Sequence, residues 1–283
     1  MSYTRIIFLT SLAMLAFASN SLLCRVALKL TSIDAASFTA VRLLSGALVL
    51  WLVVRFRGGH SSAAGNWLSA LALFAYAAGF SFAYVSLPAA TGALLLFGAV
   101  QTTMIGYGVW NGERLRGAQL VGFILAFGGL AGLLVPGLSA PPLVGAVLML
   151  CAGAAWGVYS LRGRGAGDPT RVTAGNFLRA APMAVVLSLL MLRGLSLDAA
   201  GVWYAVASGA LTSGIGYVIW YTALPGLKAT QAAIVQLSVP VIAALGGIIF
   251  LAESVSLRLV LASVAILGGI ALVILEKAPA AAR

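Results

Sequence analysis

Ten stretches of about 20 mostly apolar residues follow one another along the chain, separated by gaps too short to hold a domain. A helix needs roughly 20 apolar residues to cross about 30 Å of hydrocarbon. In lipid, only helices and closed barrels satisfy every backbone hydrogen bond. Runs this long read as helices. The expectation is an all-α membrane protein with ten transmembrane helices, near residues 6–28, 34–55, 67–87, 90–110, 117–135, 143–162, 172–193, 202–224, 229–250 and 258–275. Charge or Pro and Gly mark the breaks, as at Arg55-Phe56-Arg57, Glu113-Arg114, Pro136-Gly137, Pro141-Pro142 and Asp168-Pro169. The run from Ile6 continues through Asn20, Cys24 and Arg25 with no small-residue cleavage region, so it reads as a retained first helix.

Composition agrees. The chain is 62% hydrophobic and 8% charged, where a soluble domain carries about 25% charged residues. The net charge of +11 does not point to nucleic acid, because the 17 Lys and Arg are scattered through short gaps and form no single basic face. They read instead as topology signal. With the N-terminus cytoplasmic, eleven basic residues fall on that side, among them Arg55, Arg57, Arg114, Arg116, Arg162 and Arg171. Four fall on the other: Arg25, Lys29, Arg193 and Arg258. That balance favours ten helices with both termini cytoplasmic. Cys24 and Cys151 lie in apolar runs without metal spacing and are expected to be free, buried thiols.

The chain also resembles itself. At a shift of 137 residues Arg25 meets Arg162, Arg42 meets Arg179, Gly79 meets Gly216, Phe80 meets Tyr217, Tyr84 meets Tyr221, and Leu87-Pro88 meets Leu224-Pro225. After three inserted residues Glu113 meets Glu253, Leu115 meets Val255, and Gly128-Gly129 meets Gly268-Gly269. The halves are residues 1–138 and 139–283. Each holds five helices, an odd number, so the second half enters the membrane from the opposite side. Two inverted-topology five-helix repeats favour two mirrored states around a central cavity, the geometry of alternating access.

The residues that carry this repeat resemble the drug/metabolite transporter superfamily, in its ten-helix branch with paired EamA-type halves. They are Arg42 with its echo Arg179, the turn Tyr84-Val-Ser-Leu-Pro88-Ala-Ala-Thr with its echo from Tyr221 to Thr230, and Phe250-Leu-Ala-Glu253. The resemblance covers nearly the whole chain, and within the family it is nearest YddG-type amino acid exporters. It implies a monomer in the bacterial inner membrane, with a cavity walled by helices one, three, four, six, eight and nine. It does not fix the cargo, since the family exports amino acids, nucleosides, sugars and drugs.

Chemistry-bearing residues are few. The six acids, Asp34, Glu113, Asp168, Asp198, Glu253 and Glu276, fall in loops or at helix ends, and the one histidine, His60, lies in a loop. No catalytic set or metal cluster can be assembled from them, so neither enzyme activity, cofactor nor metal is expected. The small four-helix relatives carry a glutamate in their first helix. Here helix one reads Phe17-Ala-Ser-Asn20-Ser21, so proton antiport through a membrane carboxylate is not expected and uniport or exchange fits better.

What remains is a set of aromatic and amide residues at helical spacing. Tyr76, Phe80 and Tyr84 share a face of helix three, with Ser213, Tyr217 and Tyr221 as their echoes on helix eight. Phe17, Asn20, Ser21 and Cys24 share a face of helix one, and Phe97 and Gln101 one of helix four. Trp156 and Tyr159 come from helix six, and Gln231 and Gln236 from helix nine. Amides avoid lipid, because an unsatisfied one costs about 4–8 kcal/mol in hydrocarbon. The candidate substrate-binding set is Phe17, Asn20, Tyr76, Phe80, Tyr84, Phe97, Gln101, Trp156, Tyr159 and Tyr217. The alternative for each is helix packing alone. Trp51, Trp67, Trp110 and Trp203 lie at helix ends and read as interfacial anchors. Arg42 and Arg179 sit some eight positions into their helices and are expected to pair with carbonyls or snorkel to the interface, the alternative being attraction of anionic substrate groups. Gly128, Gly132 and the pair Gly128-Gly129 / Gly268-Gly269 are expected to bring helices five and ten together, and Pro240 to kink helix nine.

The reading is therefore a transporter that exports amino acids, aromatic and other neutral ones, or similar small metabolites. An exporter of drugs, nucleosides or sugars is the alternative; a channel-like pore and a membrane enzyme rank below. The expected partners are a small-molecule substrate and the lipid bilayer, with no nucleic acid.

Overall fold

The computed structural model describes residues 2–58, 64–112, 115, 117–137, 140–163, 167–227 and 235–275. Glu113, Gln231 and His60, singled out above, lie outside them. Ten helices run through the described residues: α1 (Tyr3–Leu30), α2 (Ala35–Phe56), α3 (Trp67–Tyr84), α4 (Ala89–Trp110), α5 (Ala118–Leu134), α6 (Leu143–Gly163), α7 (Pro169–Leu190), α8 (Ala199–Ala223), α9 (Ser238–Leu251) and α10 (Leu257–Leu275). Eight are long and apolar enough to cross a bilayer; α5 and the described part of α9 are apolar but shorter. The chain is an integral membrane protein by this architecture. Large apolar side chains such as Leu48, Phe250 and Val264 face outward, as they do where lipid replaces water.

The helix starts follow from capping chemistry. Asp34, Asn66, Asp168 and Asp198 each accept backbone N–H bonds at the N-terminus of α2, α3, α7 and α8. The fourth described acid, Glu253, accepts the N–H of Ala89 at 2.7 Å and so caps α4 from a distant part of the chain. All four described carboxylates thus sit at helix N-termini, where the helix dipole favours negative charge.

The helices pack in a definite set of pairs: α2 with α7, α4 with α9, α5 with α10, α3 with α6 and α7, α4 also with α6, and α1 and α2 with α8, α1 also with α9. The α5–α10 contact is a glycine contact, made by one residue of each expected pair, Gly129 and Gly269, together with Gly122. A Cβ on Gly122 would meet the carbonyl of Gly269, a Cβ on Gly269 that of Gly122, and a Cβ on Gly129 the Ile266 side chain at 2.9 Å. Gly128, Gly132 and Gly268 face open space. Adjacent glycines lie about 100° apart around a helix, so only one of each pair can face the partner.

Three local features depart from plain α-helix. In α8, residues Ala207–Ile215 are π-helical. Before α9 the helical path breaks at Leu237, three residues ahead of Pro240, because the proline ring leaves no donor for the preceding turn and crowds it. Pro182 lies inside α7, beside an apolar groove between α2 and α7 lined by Leu44, Trp51 and Val185. Cys24 is buried but Cys151 is exposed on α6, since α6 turns that face away from α3 and α4.

Candidate functional site

At the centre of the bundle α1, α3, α4, α6 and α8 converge with Gln236, the residue two positions ahead of α9, around one small cavity. Phe17, Asn20 and Ser21 come from α1, Tyr76 and Phe80 from α3, Leu96 and Phe97 from α4, Trp156 from α6, and Thr212 and Tyr217 from α8. The cavity volume is ≈ 30 Å³, room for a water molecule or two. A metabolite enters only when the surrounding helices part.

The walls are of two kinds. One is a cage of aromatic rings. Trp156 is its hub, with ring centroids 4.8 Å from Tyr76, 5.2 Å from Tyr217 and 5.3 Å from Tyr159. Phe17 meets Tyr217 edge-on at 5.8 Å, and Tyr76 meets Phe80 at 5.5 Å. Contacts at these distances hold aromatic rings in fixed relative orientations.

The other wall is polar and depends on the π-helical stretch. The extra residue per turn brings Ser208, Thr212 and Ser213 onto the surface that faces α1 and α2. Ser208 and Thr212 donate to Asn20 Oδ1 at 2.6 and 3.2 Å. Asn20 Nδ2 donates in turn to Tyr76 Oη at 3.4 Å. Arg42 donates from Nη2 to the same phenol oxygen at 3.0 Å and from Nε to Ser213 Oγ at 3.4 Å. The Arg42 guanidinium lies 5.2 Å from the Tyr76 ring centroid and 4.9 Å from that of Phe80, within cation–π range. π-Helical turns recur at functional sites in this way, where an inserted residue redirects side chains. Close approach makes it possible: a Cβ on Gly209 would strike the Arg42 carbonyl and Ser45, and one on Gly46 would strike Phe177 at 2.6 Å.

Of the ten candidate residues, Phe17, Asn20, Tyr76, Phe80, Phe97, Trp156 and Tyr217 line the cavity. Three stand back from it. The Tyr84 hydroxyl donates to the carbonyl of Ala89 at 3.3 Å, and its ring meets Phe80 edge-on. Tyr159 stacks behind Trp156 and accepts from Asn176 at 3.5 Å. Gln101 is buried one turn beyond Phe97.

Arg42 departs from expectation. It is 1% exposed and neither snorkels nor pairs with helix-end carbonyls. Its helix is enclosed by α3, α7 and α8, so no route to the interface exists for the side chain. Arg179 does bond carbonyls, those of Ala64 and Gly175. Ser208 and Thr212 were not singled out in the sequence; their signal was two hydroxyls four residues apart in an apolar helix, the second of them next to Ser213.

The ends of the bundle are tied separately. Arg25 on α1 pairs with Glu253 at 3.2 Å and donates to the carbonyls of Tyr84 and Val85 at 2.9 and 3.1 Å. Toward the other end Arg162 donates to Ser69 and Asn66 at the start of α3. Among the described residues no group of His, Cys, Asp or Glu is arranged to hold a metal ion.

Comparison with known proteins bears on the whole of this architecture. The profile of the EamA-like transporter family matches residues 143–275. An uncharacterized protein of Pseudomonas aeruginosa, PA1977, is 59% identical over 99% of this chain and 98% of its own length. An uncharacterized transporter of Archaeoglobus fulgidus is 28% identical over 58% of this chain and 60% of its own. A crystal structure with 21% identity superposes with a TM-score of 0.69, covering 96% of both chains, and shares the fold. Residues 143–275, the second half of this membrane-spanning bundle, thus form a domain of the EamA-like transporter type.

Proposed function

We propose that the protein is a secondary transporter that exports amino acids, aromatic and other neutral ones, or similar small metabolites. The observation that carries this reading is the cavity itself: an aromatic cage closed on one side by the Asn20–Tyr76 hydrogen-bond network. Ring faces suit an apolar or aromatic tail, and the amide and hydroxyls suit a polar head. The binding set is Phe17, Asn20, Tyr76, Phe80, Phe97, Trp156 and Tyr217, with Tyr84, Gln101 and Tyr159 as its second layer.

The transport step is alternating access between residues 1–138 and 139–283, read as inverted repeats. Helix pairing supports this. Exchanging each helix of the first half with its counterpart in the second turns α3–α6 into α8–α1, α4–α6 into α9–α1 and α3–α7 into α8–α2, and each of these pairs packs. The pairs α2–α7, α4–α9 and α5–α10 map onto themselves. Asx caps on α2, α3, α7 and α8 follow the same exchange. The protein works as a monomer in the bacterial inner membrane with both termini cytoplasmic. No carboxylate lines the cavity among the described residues, so the cycle is uniport or exchange without a proton-carrying acid.

Proteoliposomes loaded with a panel of amino acids, nucleosides and sugars, with and without a pH gradient, test the proposal. Saturable, stereoselective flux of neutral amino acids that persists without the gradient is the expected result. Flux that rises linearly with concentration points to a pore, and saturable flux of nucleosides or sugars alone replaces the cargo. Trp156→Ala should raise KM at least tenfold; an unchanged KM removes the hub from the site.

A further inference from the structure

Arg42 is the one feature of the site that the aromatic cage does not account for. It is buried to 1% exposure in the middle of an apolar bundle. No acidic side chain opposes it: the four described carboxylates all cap helix N-termini, and Glu253 is paired with Arg25. Its Nη1 is buried and has no hydrogen-bond partner among the described residues. A buried guanidinium with an idle donor is costly unless something completes it.

The second idle donor is beside it. Tyr76 Oη accepts one hydrogen bond from Arg42 Nη2 and one from Asn20 Nδ2. A phenol oxygen has two acceptor sites and one proton. With both acceptor sites filled by N–H groups, the proton is left for a third partner, and Tyr76 is on the cavity wall. Asn20 does not take that proton, because it turns its Nδ2 donor toward the phenol oxygen while its Oδ1 accepts from Ser208 at 2.6 Å. Asn20, Tyr76 and Thr212 stand on the cavity wall, and the fixed positive charge of Arg42 lies directly behind Tyr76 and Phe80; the facing rings present apolar surface.

We infer that Arg42, acting with the Tyr76 hydroxyl, recognises a carboxylate on the cargo, so that the transported class is carboxylates with an apolar or aromatic tail. This rests on the transport reading and narrows it. A single carboxylate neutralises the one buried charge. A doubly charged phosphate would leave the site negative. Among the described residues an ammonium group finds no acid at the cavity, so the amino group of an amino acid is tolerated and not required.

Four compounds of one shape separate the possibilities: 3-phenylpropionate, phenylalanine, 3-phenylpropionamide and 2-phenylethylamine. Binding to the purified protein is read as a shift in melting temperature, and transport as counterflow in proteoliposomes. The two acids should be bound and carried, and the amide and the amine should be at least tenfold weaker. Arg42→Gln should abolish that preference, and Arg42→Lys should keep part of it. If Arg42→Gln does not fold, the comparison on the unaltered protein decides, and Tyr76→Phe, which lacks only the phenol proton donor, should weaken the acids selectively. Equal transport of amide and acid, or preferential transport of a neutral sugar or nucleoside, overturns the inference and leaves the transporter standing. Binding and transport of none of these compounds overturns both.

Discussion

Arg25 and Glu253, 228 residues apart in the chain, meet with Nε 3.2 Å from Oε1 at the end of the bundle where α3 turns into α4. Both side chains are nearly enclosed, at 11% and 9% exposure. Glu253 also caps α4, and Arg25 also holds the last carbonyls around Tyr84. One ion pair thus joins α1, the α3–α4 turn and the approach to α10, and must be undone for this end of the cavity to open. Removing one partner of a buried pair costs about 3–5 kcal/mol. Glu253→Gln should lower the melting temperature in detergent and increase labelling of a cysteine placed at Ser21 by a thiol reagent. No change in either measurement would show that the pair does not hold this end shut.

The α5–α10 contact makes a sharper pair of predictions. Gly122→Ala puts a methyl against the Gly269 carbonyl, where backbone cannot yield cheaply, and should destabilise by about 1–3 kcal/mol. Gly128→Ala, which meets nothing within 4 Å, should be neutral or stabilise by about 0.5–1 kcal/mol through lower chain entropy. Reversible denaturation of the two variants side by side checks both. Equal effects would show that the helices are not held at Gly122.

Pro240 marks a break in the helical path at Leu237, next to the cavity residue Gln236. Pro240→Ala restores a backbone donor and should straighten this junction. The expected outcome is a several-fold slower transport rate with an unchanged melting temperature. Unchanged transport would remove the hinge.

Asp34 carries a pH dependence with a definite sign. Burial alone would raise its pKa, but hydrogen bonds from Ser37, Ser196 and Ala36 outweigh that and hold it below the usual carboxylate value. It also ties two connections together: its N–H donates to the Ser196 carbonyl, and Ser196 N–H donates to Oδ2, both at 3.0 Å. A carboxylate with a lowered folded-state pKa adds stability above its unfolded pKa, about 3.9, and loses it as pH falls through the lower folded value. Asp34→Asn should therefore be less stable than the unaltered protein at pH 7 through the loss of the charge, since Asn caps a helix about as well as Asp. The gap should close on acidification below about pH 4. A gap independent of pH would show that the charge plays no part.

The helix boundaries were legible in the chain because each signal is local. Apolar length, a capping Asp or Asn and a following Pro act on the residues beside them, and α2, α7 and α10 begin and end within three residues of the expected positions. The aromatic stripe was legible for the same reason: spacing of four puts Tyr76 and Phe80 on one face whatever lies opposite. Gly128 and Arg42 were misread because local spacing does not say which face a neighbour covers. Gly128 points to open space and Gly129 to Ile266, a difference of one residue that only the partner helix defines. Arg42 and Arg179 are equivalent by position, yet one is enclosed and the other reaches carbonyls at Ala64 and Gly175.

By itself the sequence determined that this chain must live in lipid, that it forms helices long enough to span, and that its few carboxylates lie in loops or at helix ends. Those follow from solvation, where every apolar run and every charge carries its own free energy. Only the tertiary structure decided that Asn20, Tyr76 and Arg42 form one network. That network depends on a π-helical stretch turning Ser208, Thr212 and Ser213 toward α1 and α2, and on glycines that let the backbones approach. The energies involved are hydrogen bonds between residues up to 192 positions apart, and no local pattern encodes which of them will meet.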